Sequence, residues 1–124
     1  MTMISYAKLL EVAKRNYLIA KTACEIVKEQ LDKANAPFHK AAEEEKISVA
    51  CWAEIVTDNE YLLGYDKARE LVREAEDKLI ETAREGLKNA ANQEQWKKLE
   101  PVFTCKFAGI RVKVLDLALR WSGE

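Results

Sequence analysis

From Tyr6 to Ala34, apolar side chains return at Tyr6, Leu10, Ala13, Tyr17, Ala20, Cys24, Val27, Leu31 and Ala34, in steps of four and three without a break. A seven-residue rhythm of this kind keeps one stripe of an α-helix apolar; a strand, whose side chains alternate with period two, has no use for it. A second stripe, Leu9, Val12, Ile19, Ala23 and Ile26, runs beside the first and is interrupted by Asn16 and Gln30. Two adjoining stripes call for two neighbouring helices, so the pattern favours a bundle over a two-stranded coil.

The rest of the chain divides in the same way. Asn35-Ala36-Pro37 breaks the rhythm, and proline suits the first position of a helix, where its missing N–H is not needed; a reversal is expected there. The spacing resumes at Phe38, Ala42, Glu45, Val49, Trp52 and Val56. Leu63-Gly64 reads as a stop with Asp66 capping the next helix, in preference to Thr57-Asp58-Asn59-Glu60 read as a capping box. Ala68, Leu71, Val72, Ala75, Leu79, Ile80, Ala83 and Leu87 then share one face of a third helix. Its other face is charged, with Glu74 and Lys78, Glu70 and Arg73, and Glu81 and Arg84 spaced for ion pairs. Asn92 and Gln95 can cap a short turn that stops ahead of Pro101, and Phe103, Phe107, Ile110, Val114, Leu117 and Trp121 form a last seam. The expected fold is all-α: an antiparallel four-helix bundle with helices at about 5–34, 37–63, 66–91 and 101–121, a helical turn near 93–99, and a single domain over 1–124.

Composition bears on partners. Lys plus Arg number 20 and Asp plus Glu 21, so no global field draws the chain to polyanions. The charge is nevertheless uneven: residues 37–64 hold two basic and six acidic side chains, whereas residues 92–124 hold six basic and four acidic. No run of about 18 apolar residues exists, and MTMISYAKLLEVAKR lacks the apolar core and cleavage site of a signal peptide, which predicts no membrane partner and a cytoplasmic location. Cys24, Cys51 and Cys105 fit neither a disulfide framework nor a zinc site and read as small buried apolar residues.

The stretch Ile47-Ser48-Val49-Ala50-Cys51-Trp52-Ala53-Glu54-Ile55-Val56 is the most apolar of the charge-poor segments. On a helical wheel Ile47, Cys51, Ile55, Trp52, Val56 and Val49 fill an inward arc of about 200°. Ala50, Thr57 and Glu54, with Ala53 just beyond the arc and Tyr61 a turn later, are left outside. Small groups and an aromatic replace the Lys and Glu that clothe the third helix. The functional reading is a protein interface at Ala50, Ala53, Thr57 and Tyr61, most simply with a second copy; the plainer reading is weakly polar surface.

Chemistry is thinly marked. His39 with Glu43 one turn on is a single histidine, a poor start for a metal or proton-transfer site, and no nucleophile is marked for a triad. Glu45 and Glu54 would serve as general acids only if buried. Glu43-Glu44-Glu45 followed by Glu74-x-x-Asp77 partly resembles the all-α nucleotide pyrophosphohydrolases, whose metal motif pairs Glu-Glu-x-x-Glu with a later Glu-x-x-Asp. That resemblance implies Mg²⁺ held by Glu44, Glu45, Glu74 and Asp77. The third acidic position falls on Ile47 or Ser48 depending on register, so a ligand is missing; otherwise the triplet complements the dipole of a helix start. Lys97, Lys98, Lys106, Arg111, Lys113 and Arg120 near Trp96, Phe103 and Phe107 allow a nucleic-acid reading, but the aromatics occupy seam positions and the basic residues scatter around the helix. The sequence therefore favours a non-enzymatic interaction or structural protein that needs no cofactor.

Overall fold

The computed structural model describes residues 6–89, 93–104 and 108–121. Every regular element among them is an α-helix: α1 (Tyr6–Glu43), α2 (Val49–Leu62), α3 (Tyr65–Lys88), α4 (Gln93–Thr104) and α5 (Ala108–Arg120). The all-helical expectation holds; the number of helices and several of their ends do not follow it.

The expected reversal at Asn35-Ala36-Pro37 does not occur, because α1 runs through Pro37 to Glu43. Proline there deprives the Lys33 carbonyl of its intrahelical donor. Tertiary contacts on both sides of it oppose that loss. The Asn59 amide Nδ2 donates to Oδ1 of buried Asn35 at 2.8 Å, and Trp52 Nε1 donates to His39 Nδ1 at 2.8 Å. The chain turns instead over residues 44–48. The Glu44, Glu45 and Lys46 amides bond back to the carbonyls of Lys40, Ala42 and Ala41, and Glu45 adopts φ 59°, a left-handed conformation that ends helices and favours glycine. Ser48, extended at φ −70° and ψ 156°, then caps α2, its hydroxyl accepting the Cys51 N–H at 3.1 Å.

The Leu63-Gly64 stop is used: α2 ends at Leu62, and Gly64 takes φ 73°. Thr57 sits inside α2, its hydroxyl donating to the Ala53 carbonyl at 2.8 Å, so the capping-box alternative falls away. Asp66 lies in the first turn of α3 rather than at its cap, and accepts from Arg69 at 2.6 Å. That hydrogen bond raises the Arg69 pKa, and the guanidinium lies 4.8 Å from the centre of the Tyr65 ring. The three ion pairs expected along α3 give way to Lys67 with Glu70 and Arg69 with Asp66. The turn expected near 93–99 is a helix of 12 residues, and it too passes through a proline, Pro101. Trp96 and buried Phe103, two turns apart, meet across that proline with ring centroids 6.0 Å apart. The last helix accordingly starts at Ala108 rather than near 101. Asn92, Cys105 and Phe107 lie outside the described residues.

Two compact units divide the chain, one gathering the described residues of Met1–Leu18 and Arg73–Glu124, the other Ile19–Val72. In the first, Leu10, Ala13, Tyr17, Leu79, Ala83, Leu87, Phe103, Val114, Ala118 and Trp121 are buried. Apart from Ala118 they come from the first seam of α1, the apolar face of α3 and the seam of the last segments, whereas Leu9 and Val12 of the second stripe of α1 are exposed. Gly86 is the point of closest approach: a Cβ there would lie 2.6 Å from Trp121 Cη2 and Cζ3 and 3.3 Å from Tyr6 Cβ. Lys14 donates to the Trp121 carbonyl at 2.6 Å and so closes the end of α5. Arg111 of α5 bonds Glu76 Oε2 at 3.1 and 3.2 Å and Asp77 Oδ1 at 2.6 Å on α3. Burial lowers the Arg111 pKa, but the hydrogen bonds it donates to Asp77 and Glu76 outweigh it, and the net direction is upward.

The second unit has a much thinner core. Among its described residues Leu31 and Asn35 are buried, and α2 contributes no buried residue. Ile19, Ile26, Val49, Tyr61, Leu62, Leu63 and Leu71 are exposed.

Candidate functional site

The second unit holds the features that suit recognition. Capped by Ser48, α2 turns Trp52, Ile55, Val56 and Asn59 inward, all half-buried, with Trp52 and Asn59 bonded to α1. Ala50, Ala53 and Thr57 are exposed, and Tyr61 is 77% exposed; their spacing of three and four places them on one side of the helix. Val49 (74% exposed), Cys51 and Leu62 (76%) are open as well. The inward arc read from the sequence is therefore too wide. Ile47 precedes the helix, and the single seam that α2 shares with α1 leaves Val49 and Cys51 uncovered. Cys24 is half-buried and Cys51 exposed, both with free thiols, so neither is the fully buried residue expected. The helix carries Glu54, Asp58 and Glu60 and no basic side chain.

Where α1 ends and α2 begins, His39, Ala42, Glu43, Val49 and Trp52 line an open groove of about 330 Å³. The imidazole and indole centroids are 5.7 Å apart at 53°. The indole N–H donates to His39 Nδ1 at 2.8 Å, so that nitrogen serves as an acceptor. The hydrogen-bond partner of His39 is thus Trp52. The groove is invisible in the sequence reading because that reading turns the chain at Pro37, which separates His39 from Trp52; a turn after Glu43 is what brings the two together across 13 residues.

The candidate metal ligands are paired or exposed. Glu44 pairs with Lys46 at 2.8 Å and Asp77 with Arg111 at 2.6 Å. Glu74 and Glu45 are exposed. Among the described residues no group of three or more His, Cys, Asp or Glu side chains is placed to hold a metal ion. Glu43, Glu44 and Glu45 close α1 rather than open a helix, so the favourable dipole interaction expected of them is reversed in sign. Glu54 is exposed, as is Glu45, which leaves both without the burial a general acid needs. Of the basic residues near the carboxy terminus, Arg111 is held by Glu76 and Asp77 and Arg120 by Asp116 at 3.2 Å. Phe103 is core, Trp96 is half-buried against it, and Lys106 lies outside the described residues. No helix among the described residues is long and apolar enough to cross a membrane. No family model, no curated protein and no solved structure matches this chain.

Proposed function

We propose that the chain is a non-enzymatic interaction or structural protein that self-associates through the outer side of α2, with Ala50, Ala53, Thr57 and Tyr61 as the contact residues. The observation that carries this reading is the exposure of large apolar groups at both ends of a helix that buries none of its residues: Val49 at one end, Tyr61 and Leu62 at the other. Ala50, Ala53 and Thr57 between them are small enough to let a second backbone approach closely, and exposed apolar surface marks protein interfaces. The free thiols of Cys24 and Cys51 suit the reducing cytoplasm, where we place this association.

Light scattering coupled to size-exclusion chromatography tests the reading. The chain is expected to elute as a concentration-dependent oligomer, and Ala50→Glu or Ala53→Glu to shift it to monomer with helical circular dichroism unchanged. A chain that stays monomeric at high concentration, or an oligomer that survives both substitutions, overturns it.

A further inference from the structure

The groove between the end of α1 and the start of α2 has a composition that selects its occupant. Ala42 and Val49 line it with apolar groups, and the Trp52 indole lines it with its N–H already committed to His39. The one carboxylate in the lining is that of Glu43, which takes part in no ion pair or hydrogen bond among the described residues, and no lysine or arginine lines the groove. Glu43 also closes α1, where the helix dipole is negative. Carboxylate, indole and helix end all favour a cation. One carboxylate is too few for a metal ion, and an anion would meet no lysine or arginine in the lining. The remaining chemistry is an organic cation with an apolar stem. Of such cations guanidinium fits best, because its planar fork can grip a carboxylate while its face rests on an indole, which a compact ammonium cannot do at once.

We propose that this groove docks an arginine side chain of a protein partner, the guanidinium between Glu43 and the Trp52 indole and the methylene stem along Ala42 and Val49. The site does not rest on self-association through the outer side of α2 and would persist in a monomeric chain.

The test uses the full chain and a blocked tripeptide, alanine-arginine-alanine, with citrulline as the neutral isostere and lysine as the alternative cation. Binding is read from the NMR shift of the Trp52 indole N–H. The arginine peptide is expected to saturate that shift at millimolar concentration, about tenfold more tightly than the citrulline peptide, which is the ratio expected for one charge-assisted contact. Glu43→Gln, at a side chain with no partner to lose, should erase the difference without altering the fold. Equal binding of arginine and citrulline, lysine binding as tightly as arginine, an unchanged preference in Glu43→Gln, or no saturable shift would each overturn the proposal.

Discussion

Gly86→Ala is the sharpest test of the packing in the first unit. In an exposed helix the substitution would stabilise by about 1 kcal/mol, because glycine gives up more backbone freedom than alanine on folding. At Gly86 the new methyl would stand 2.6 Å from two ring carbons of buried Trp121 and 3.3 Å from Tyr6 Cβ. The Trp121 backbone is held at its carbonyl by Lys14 at 2.6 Å and at its amide by Leu117 at 3.0 Å, and its ring is buried, so relief requires the ring to rotate within a packed core or the end of α5 to shift. Overpacking of this kind costs roughly 1–3 kcal/mol, and at contacts this short the upper end applies; after the propensity gain the net loss is about 2 kcal/mol. For a chain of this length that corresponds to a Tm lower by about 8 °C. Calorimetry and urea denaturation followed by tryptophan fluorescence measure it. Adding Trp121→Phe to Gly86→Ala should recover about 1 kcal/mol relative to the sum of the single changes. A Gly86→Ala chain as stable as the parent, or more so, would refute the close approach.

Two further substitutions probe the second unit. Asn59→Ala removes the donor to buried Asn35 and should cost about 1–2 kcal/mol in urea denaturation, with Asn35→Ala adding less than its own single effect because the two amides serve one hydrogen bond. Glu45→Gly relieves a left-handed backbone at no loss of a buried side chain and should raise stability by about 1 kcal/mol; a lower Tm would mean that the turn does not adopt φ 59°.

Much of the fold is legible locally. The heptad-like spacing marks Leu10, Ala13, Tyr17 and Leu31 as inward residues of α1, and the apolar face of α3 identifies Leu79, Ala83 and Leu87. Leu63-Gly64 ends α2 because a left-handed residue suits glycine, a rule that operates within a few residues. The outer position of Ala50, Ala53, Thr57 and Tyr61 on α2 likewise follows from helical spacing alone.

The two prolines mark where local rules give way. A proline inside a helix costs about 3 kcal/mol, enough to predict a break, yet Pro37 lies between residues tied to α2 by two hydrogen bonds, and Pro101 lies between Trp96 and Phe103, which pack together. The loss at one peptide is local and fixed, whereas the gain is summed over groups far apart in the chain, and a sequence read segment by segment contains only the first. The same limit hides the groove, because His39 and Trp52 become neighbours through a turn at Glu44–Ser48 that no strong breaker announces. Local periodicity therefore determined that this chain is helical and which side of α3 and which seam of α1 turn inward; how much of α2 is covered, where the helices end, and which side chains meet there, were decided by contacts that exist once the chain has folded.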